Sequence, residues 1–463
     1  MDNQAMSTGS FSSYTKIQFL QRQAASLLLY QSVLQSEVGI AFLDLLQAIR
    51  YTDADALGCL QAYGNYFHAL AARNQNWEDY LITQILTSEN PFTRCAQRED
   101  LKNIPPALVA ATQHDLQVFQ SLSACNSAVL SEWVQTVAHL PVSPVVWYLE
   151  QEGLEIETGL IKQYREAATV ASLQQLDNWA DGVEDLAVYY RQFGTGLFAE
   201  YRALRWQGGQ FIGIPHPDQV KLDALVGYES QQDALLKNTE FLLSGEAALH
   251  VLLYGSRGSG KSSLVKALLN EYGDGNLRLV EVAKSELKNL PEIVEQLREV
   301  PQKFIIFVDD LSFEEDDDAF KALKVVLEGN LTARSQNVVV YATSNRRHLI
   351  REFFADRPTP KDNAEIHAWD TMQEKLSFSD RFGLTLTFEG ADQKTYLKIV
   401  NHLAAQAGIN LSQEDLEYQA LQWATRHNGR SGRTARQFVD YLKADLSLNN
   451  NKFNNQSQHE LLS

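Results

Sequence analysis

The sequence has few cysteines, no excess of basic residues and no long apolar run. Its 463 residues include three cysteines, Cys59, Cys95 and Cys125, with no Cys-x-x-Cys pair. Neither a disulfide framework nor a zinc cluster is therefore expected. Lysine and arginine number 40 against 58 aspartates and glutamates, which gives a net charge of −18. A field of that sign repels phosphate backbones and disfavours a nucleic-acid partner.

The absence of long apolar runs argues against a membrane protein. The stretch from residue 133 to 149 is uncharged, but it contains glutamine, threonine, histidine, serine and two prolines, which do not suit a membrane span. The first residues do not resemble a secretory signal. We therefore expect a cytoplasmic protein whose thiols are reduced.

The patterning of apolar residues predicts several segments. Residues 1–15 and 448–463 are polar and are expected to be disordered. Residues 16–206 have helical periodicity and predict a helical N-terminal domain. Residues 207–220 hold three glycines and two prolines, which indicates a linker. From residue 221, short β-branched runs alternate with helical stretches up to residue 390, and only helical patterns follow over 391–447. This alternation predicts an α/β domain with a parallel sheet covered on both faces.

Five runs are the expected strands: His250–Tyr254, Leu277–Val282, Phe304–Val308, Val338–Ala342 and Leu384–Phe388. Directly after the first comes a phosphate-binding motif of the form G-x-x-x-x-G-K-[ST], Gly255-Ser256-Arg257-Gly258-Ser259-Gly260-Lys261-Ser262. Its glycines let backbone N–H groups curl around phosphates. Lys261 would contact the β- and γ-phosphates, and Ser262 would bind Mg²⁺. Ser263 begins the helix whose positive end faces the anion.

Polar residues also end two later strands. Asp309 and Asp310 follow Phe304–Val308, at the sheet edge where open α/β sheets bind ligands. Asp309 would hold Mg²⁺ directly or through water, and Asp310 would orient or deprotonate the attacking water. Asn345 follows the strand that begins at Val338 and is placed to contact a γ-phosphate or the water beside it. An alternative for these acids is that they cap the next helix.

The order of these motifs resembles the AAA+ ATPases over residues 221–447. The resemblance implies a P-loop core with a five-stranded parallel sheet and a helical lid, ATP and Mg²⁺ as ligands, and assembly into a ring or arc. Asn345 matches the sensor-1 position and Arg381 the arginine finger. Val226 and Gly227 match the adenine-side segment. Arg433 matches the sensor-2 position best, with Arg436 as the competitor.

A narrower resemblance is to the AAA+ family catalogued as domain of unknown function 815. The strings that carry it include Asp309-Asp310-Leu311-Ser312-Phe313-Glu314, the segment around Asn345 and the segment ending Ser379-Asp380-Arg381-Phe382-Gly383. The family's title leaves its biological role open, so the resemblance implies fold and nucleotide chemistry but no pathway.

Two departures from the AAA+ pattern bear on function. Most members end the acidic strand with Asp-Glu, whereas this chain has Asp309-Asp310, which favours slower hydrolysis. The stretch 283–288 lacks the aromatic pore loop of threading unfoldases. Residues 346–380 are either a partner-contacting insertion or a helix with its loops.

Three functions remain open from the sequence. The first is an oligomeric Mg²⁺-dependent ATPase that remodels or regulates an unknown protein partner. The second is a slow nucleotide-dependent switch or scaffold. The third is a nucleic-acid-coupled ATPase, which the net charge disfavours.

Overall fold

A computed structural model of the chain describes residues 5–51, 56–148, 173–273, 275–312, 318–328, 335–345, 378–427 and 429–460. The segment 346–380, discussed above from the sequence, therefore falls mostly outside the described residues. The chain divides into two compact units, Met1–Glu200 and Tyr201–Ser463. Within the described ranges, every helix is too short or too polar to cross a bilayer.

The first unit is helical, as its periodicity predicts. Its α-helices run in chain order α1 Ala5–Ala25, α2 Gln31–Leu34, α3 Glu37–Arg50, α4 Leu57–Arg73, α5 Trp77–Thr87, α6 Pro91–Ala96, α7 Pro106–Ser123, α8 Ser127–Val137, α9 Val183–Phe193 and α10 Gly196–Glu200. Side chains cap several starts: Ser36 accepts from the Gly39 N–H and Asn76 from the Asp79 N–H, which satisfies N–H groups that the helix leaves unpaired. The core is aromatic, with Phe42 stacked on Trp77 at 4.2 Å.

The second unit is built on a seven-stranded sheet. Its strands are β1 Ala203–Gln207, β2 Gln210–Gly213, β3 Val251–Gly255, β4 Leu277–Val282, β5 Lys303–Val308, β6 Val338–Ser344 and β7 Leu384–Phe388, in the order β2-β1-β4-β5-β6-β3-β7. All neighbouring pairs are parallel except β1 with β2. The five predicted strands lie side by side, which confirms the predicted α/β class.

Both faces of this sheet are covered, as a parallel sheet requires. Alternate residues of the five central strands, such as Val251 and Leu253 of β3, pack with Leu264 and Leu268 into one cluster. The intervening residues face the other way and are equally buried, as Leu252 shows at 0% exposed. With both faces packed, the edge formed by the carboxyl ends of the parallel strands is the part of such a sheet where ligands bind.

Within the described part of this unit, seven α-helices surround the sheet or follow it. They are α11 Glu229–Leu243, α12 Lys261–Tyr272, α13 Leu290–Arg298, α14 Asp318–Glu328, and then α15 Gln393–Gln406, α16 Gln413–Arg426 and α17 Gly432–Glu460. The last three share their own apolar core, which includes Tyr396, Ala420 and Phe438. We refer to α15, α16 and α17 as the lid.

Two predictions are wrong where they meet. These are the linker over residues 207–220 and the helical domain that extends to residue 206. Residues 203–213 form a hairpin, and β1 pairs with β4 of the main sheet. Gly208 and Gly209 both have positive φ, +61° and +82°. Two such residues between strands make a tight hairpin turn, so the glycines that indicated a linker are turn residues instead.

Much of both chain ends, where disorder is expected from the sequence, is described as helix. Helix α1 begins at Ala5 and α17 continues to Glu460. Helix formation is costly at the first turn and inexpensive afterwards, so a helix nucleated by packed residues continues through polar sequence.

Candidate functional site

A pocket of about 1110 Å³ lies within the second unit, at the sheet edge that follows β3, β5 and β6 and against the lid. Its lining contains most of the residues predicted from the sequence: Val226, Arg257, Gly258, Ser259, Gly260, Lys261, Ser262, Ser263, Asp309, Asp310, Asn345, Arg433 and Arg436. Five separate segments of sequence are thus brought together at one place.

The phosphate-binding loop starts in close contact with the end of β7. Gly255 has a φ of +138°, and a Cβ at this position would lie 1.9 Å from the carbonyl oxygen of Phe388. The Ser256 N–H donates to that same oxygen over 2.8 Å. Gly255 and Ser256 lie at the base of the loop and do not line the pocket. Only glycine meets both requirements at residue 255.

Lys261, the first residue of α12, is folded back on the loop. Its side chain is 6% exposed, and Nζ donates to the carbonyl oxygens of Gly255 at 3.0 Å and Ser256 at 2.7 Å. Burial lowers the pKa of the ammonium, Asp309 and Asp310 oppose this, and Arg433 adds to the lowering. The cation is therefore poised at a helix N-terminus, where an anion is favoured.

Asp309 lies beside two hydroxyl groups. Its Oδ1 accepts from Ser262 Oγ at 2.6 Å and from Thr343 Oγ1 at 2.5 Å. A hydroxyl and a carboxylate in contact offer the oxygen ligands that Mg²⁺ takes, usually with waters and substrate phosphates completing its coordination. Ser262 and Asp309 therefore fit the metal role predicted for them.

Asp310 has an uncommon backbone conformation, with φ at +53°. Its N–H donates to Thr343 Oγ1 at 3.0 Å, and its Oδ1 accepts from Asn345 Nδ2 at 2.7 Å. Aspartate is among the residues best tolerated at positive φ. The geometry thus gives a physical reason for aspartate here, where most AAA+ proteins have glutamate.

The lid helix α17 begins directly against the phosphate loop. The Arg433 N–H donates to the Gly258 carbonyl at 3.2 Å, and a Cβ on Gly432 would lie 3.0 Å from that same oxygen. Arg433 and Arg436 both line the pocket. Arg433 also contributes to the lowered pKa of Lys261, and the choice between Arg433 and Arg436 stays a prediction.

The predicted adenine-side segment is held by the first lid helix. The Gly227 N–H donates to Glu229 Oε1 at 3.1 Å, and Lys398 Nζ donates to that oxygen at 2.6 Å. These bonds lower the pKa of Glu229 to about 2, with the Lys398 bond the largest cause. His402 Nε2 lies 2.6 Å from the Asp223 carbonyl oxygen. Gly227 itself borders the pocket, between Val226 and Tyr228, which line it.

Arg381 is a predicted site residue that lies away from the lining of this pocket. It ends a 3-10 turn, Phe378–Arg381, and forms an ion pair with Glu328 at the end of α14. A residue that acts on a neighbouring subunit's nucleotide would be outside its own pocket, so this position leaves the predicted role open.

Thr343 is the residue that sequence reasoning missed. It lies two residues before Asn345, at the end of β6, and lines the pocket. The sequence indicates it only through a hydroxyl-bearing residue near the end of an apolar strand. A second missed feature is the Glu229–Lys398 pair, which joins residues far apart in the chain and has no local signal.

Solved structures of a RuvB protein from Thermotoga maritima are similar to this chain over half of its length. One is titled a Holliday junction branch migration motor, with 16% identity and a TM-score of 0.33 over 50% of this chain and 66% of that one. A variant of the same protein gives 17% identity and a TM-score of 0.35, over 49% and 65%. The chain thus spans just under two thirds of the length of these structures.

No curated protein matches the chain. A family model described as "Protein of unknown function (DUF815)" matches residues 199–446, which is more than half of the 463 residues. The match begins just ahead of β1, so it covers the whole sheet and extends into α17. The resemblance predicted from the motifs is confirmed, and the chain belongs to the DUF815 family.

Proposed function

We propose that this chain binds Mg²⁺-ATP and hydrolyses it, and that it works as an oligomer that remodels or regulates a protein partner. The observation that carries the proposal is the single pocket that unites Lys261, Asp309, Asp310 and Asn345 with the lid arginine Arg433. Each of these side chains has a part in phosphoryl transfer, and a structural explanation would have to account for all five separately.

The triphosphate would lie over the N-terminus of α12. Backbone N–H groups of the loop and the Lys261 ammonium would bind its oxygens, exchanging the internal acceptors that Lys261 now contacts for phosphate. Ser262 and Asp309 would hold Mg²⁺, which neutralises charge that develops on the phosphates. Asp310 and Asn345 would orient the attacking water at the γ-phosphate.

The base would lie between the lid and the segment around Val226. Ile399 and Leu403 of α15 and Leu225 of the core line that side of the pocket, and apolar side chains are the usual contacts of a flat heterocycle. Because α15 belongs to the lid, bound nucleotide would join lid and core. This gives a physical route from nucleotide state to lid position.

A second candidate function is a slow nucleotide-dependent switch. The observation that favours it is the hydrogen bond of 2.7 Å from Asn345 to Asp310, which occupies the carboxylate proposed to orient water. A protein whose acid is aspartate, shorter than glutamate and held in this way, would bind ATP well and hydrolyse it slowly. Turnover therefore separates the two candidates, whereas ATP binding is common to both.

The proposal that the chain assembles into a ring or arc is based on Arg381. Its place outside the pocket of its own subunit is what action on a neighbour requires, and the family resemblance supports that reading. A nucleic-acid-coupled activity remains the least supported function, because the net charge is −18.

The test is calorimetry with Mg²⁺-ATP on three forms of the protein. Wild type should bind, and Lys261→Ala should lose about 2–5 kcal/mol of binding free energy, as truncated buried charge contacts do. The matched control is Lys237→Ala, an exposed lysine whose ammonium lies over Phe241; it should bind as wild type does. Equal affinity in wild type and Lys261→Ala would overturn the site. Steady-state phosphate release then decides between ATPase and switch.

A further inference from the structure

The hydroxyl of Thr343 connects the two acids of the pocket. Thr343 is 2% exposed and lies next to the last residue of β6. Its Oγ1 donates to Asp309 Oδ1 over 2.5 Å and accepts from the Asp310 N–H over 3.0 Å. A hydroxyl has one hydrogen to give. Donation to Asp309 therefore leaves the oxygen lone pairs to receive the N–H of Asp310.

These bonds fix the orientation of the Asp309 carboxylate. Three donors converge on Oδ1: the hydroxyl of Thr343, the hydroxyl of Ser262 at 2.6 Å and the N–H of Asp310 at 3.2 Å. Within the described ranges, hydrogen bonds to this carboxylate go to Oδ1. Oδ2 is therefore the oxygen left to receive a cation or its water.

The same hydroxyl supports the unusual backbone at Asp310. A φ of +53° is disfavoured for residues other than glycine and persists where neighbouring contacts hold it. The Thr343 acceptor holds the N–H of Asp310 in place, and the Leu311 N–H donates to the Thr343 carbonyl at 2.7 Å. Both ends of the Asp310 turn are thus attached to residue 343.

We propose that Thr343 is the positioning residue of this site: its hydroxyl orients Asp309 toward Mg²⁺ and holds Asp310 where it can act on water. The inference rests on the proposed function, because it assigns a role toward the metal that the nucleotide brings. Thr343 belongs neither to the phosphate-loop motif nor to the acidic pair Asp309 and Asp310.

The test compares Thr343→Val, which keeps the shape and removes the hydroxyl, with Thr343→Ser, which restores it. ATP binding is measured by calorimetry over a series of Mg²⁺ concentrations and again in EDTA. Thr343→Val should raise the half-saturating Mg²⁺ concentration about 10–100-fold, as loss of an outer partner of a metal ligand does. Its ATP affinity in EDTA should stay at the wild-type value, and Thr343→Ser should restore the Mg²⁺ dependence.

Turnover gives a second readout. At saturating Mg²⁺, kcat of Thr343→Val should stay below wild type because the Asp310 turn has lost its acceptor, while KM for Mg²⁺-ATP returns to normal. A general loss of stability would lower affinity in EDTA as well. The control is Thr239→Val. Thr239 is a buried threonine of α11 whose hydroxyl is hydrogen-bonded to Tyr341, and Tyr341 lies on the same strand as Thr343. This substitution should leave the Mg²⁺ dependence unchanged.

Two outcomes overturn the inference, and each is distinct from failure of the proposed function. Wild-type Mg²⁺ dependence in Thr343→Val, or failure of Thr343→Ser to restore it, removes the role of the hydroxyl. Absence of Mg²⁺-dependent ATP binding in the wild type instead removes the proposed function. Should Thr343→Val not fold, Thr343→Ala makes the same comparison with less volume to accommodate.

Discussion

The side-chain amide of Asn345 donates a 2.7 Å hydrogen bond to Oδ1 of Asp310. The amide oxygen of Asn345 lies 3.4 Å from Lys261 Nζ. One side chain therefore faces both the loop's cation and the second acid. A γ-phosphate that entered between them would compete for the Asn345 amide, and Asp310 would then be released to contact water.

Replacing Asp310 tests its role in turnover. Asp310→Asn keeps the shape and removes the charge, so ATP should still bind while kcat falls about 10²–10⁴-fold, the usual contribution of a positioned acid or base. Calorimetry and phosphate release measure the two effects. The control is Asp233→Asn, an exposed residue of α11. Hydrolysis at the wild-type rate by Asp310→Asn would show that Asp310 only caps the turn.

Arg381 is expected to act on the nucleotide of a neighbouring subunit. Arg381→Ala should retain ATP binding and lose about 10³–10⁵-fold in hydrolysis, as arginine-finger variants do. Mixing it with Asp310→Asn should restore activity, since one mixed interface combines an intact pocket with an intact finger. Activity per subunit of the wild type should also rise with protein concentration.

The ion pair of Arg381 with Glu328 supplies the control for that prediction. If the arginine serves only this pair, Glu328→Gln and Arg381→Ala should have the same effect on hydrolysis. Under the trans model, Glu328→Gln keeps the guanidinium and retains most of the activity. No restoration at any mixing ratio of two variants that co-assemble would refute the model.

The Glu229–Lys398 pair should make lid attachment depend on pH. The pKa of Glu229 is lowered from 4.5 to about 2, so its stabilisation is complete above pH 4.5 and is lost as the pH falls towards 2. Both side chains are more than half exposed, which limits the contribution to about 1 kcal/mol or less.

The measurement for this pair is the unfolding temperature of wild type and Glu229→Gln between pH 7 and pH 3. The difference between them should be present at neutral pH, shrink on acidification and shrink again on adding salt. A difference that is independent of pH would mean that Glu229 acts through packing alone.

Gly255 should tolerate no side chain. Gly255→Ala combines a φ of +138° with a Cβ 1.9 Å from the Phe388 oxygen. Backbone strain and overpacking each cost about 1–3 kcal/mol, so a loss of about 2–6 kcal/mol in the free energy of unfolding is expected. Urea denaturation measures it. In Gly275→Ala the nearest atom is at 3.4 Å, and a change within about 0.5 kcal/mol is expected.

Much of the fold and of the pocket could be predicted because their signals are local. The five central strands are continuous apolar runs, and the phosphate loop is a contiguous motif between a strand and a helix. The acids and Asn345 were recognisable because each follows a strand, and parallel strands end at one edge. Gly208 and Gly209 suit a linker and a hairpin turn equally well, so the sequence pattern alone does not distinguish the two.

The remaining contacts depend on tertiary register, which the sequence pattern does not contain. Thr343 meets Asp309 because Val308 of β5 is paired with Ala342 of β6, so the next residues lie side by side. A register one residue different would turn Thr343 to the opposite face. Arg381 and Glu328 meet across 53 positions of sequence, and neither has a local pattern that indicates the other.

The attachment of helix α17 at Gly258 has a mechanical consequence. The helix is 29 residues long, which at about 1.5 Å per residue amounts to roughly 43 Å. Its first turn is bonded to the phosphate loop through the Arg433 N–H and the Gly258 carbonyl, so a tilt of the helix about that contact would move its far end the most. A tilt of about 10° there would sweep the far end of a rod of that length through roughly 7 Å, an amplification that a short lid helix could not deliver.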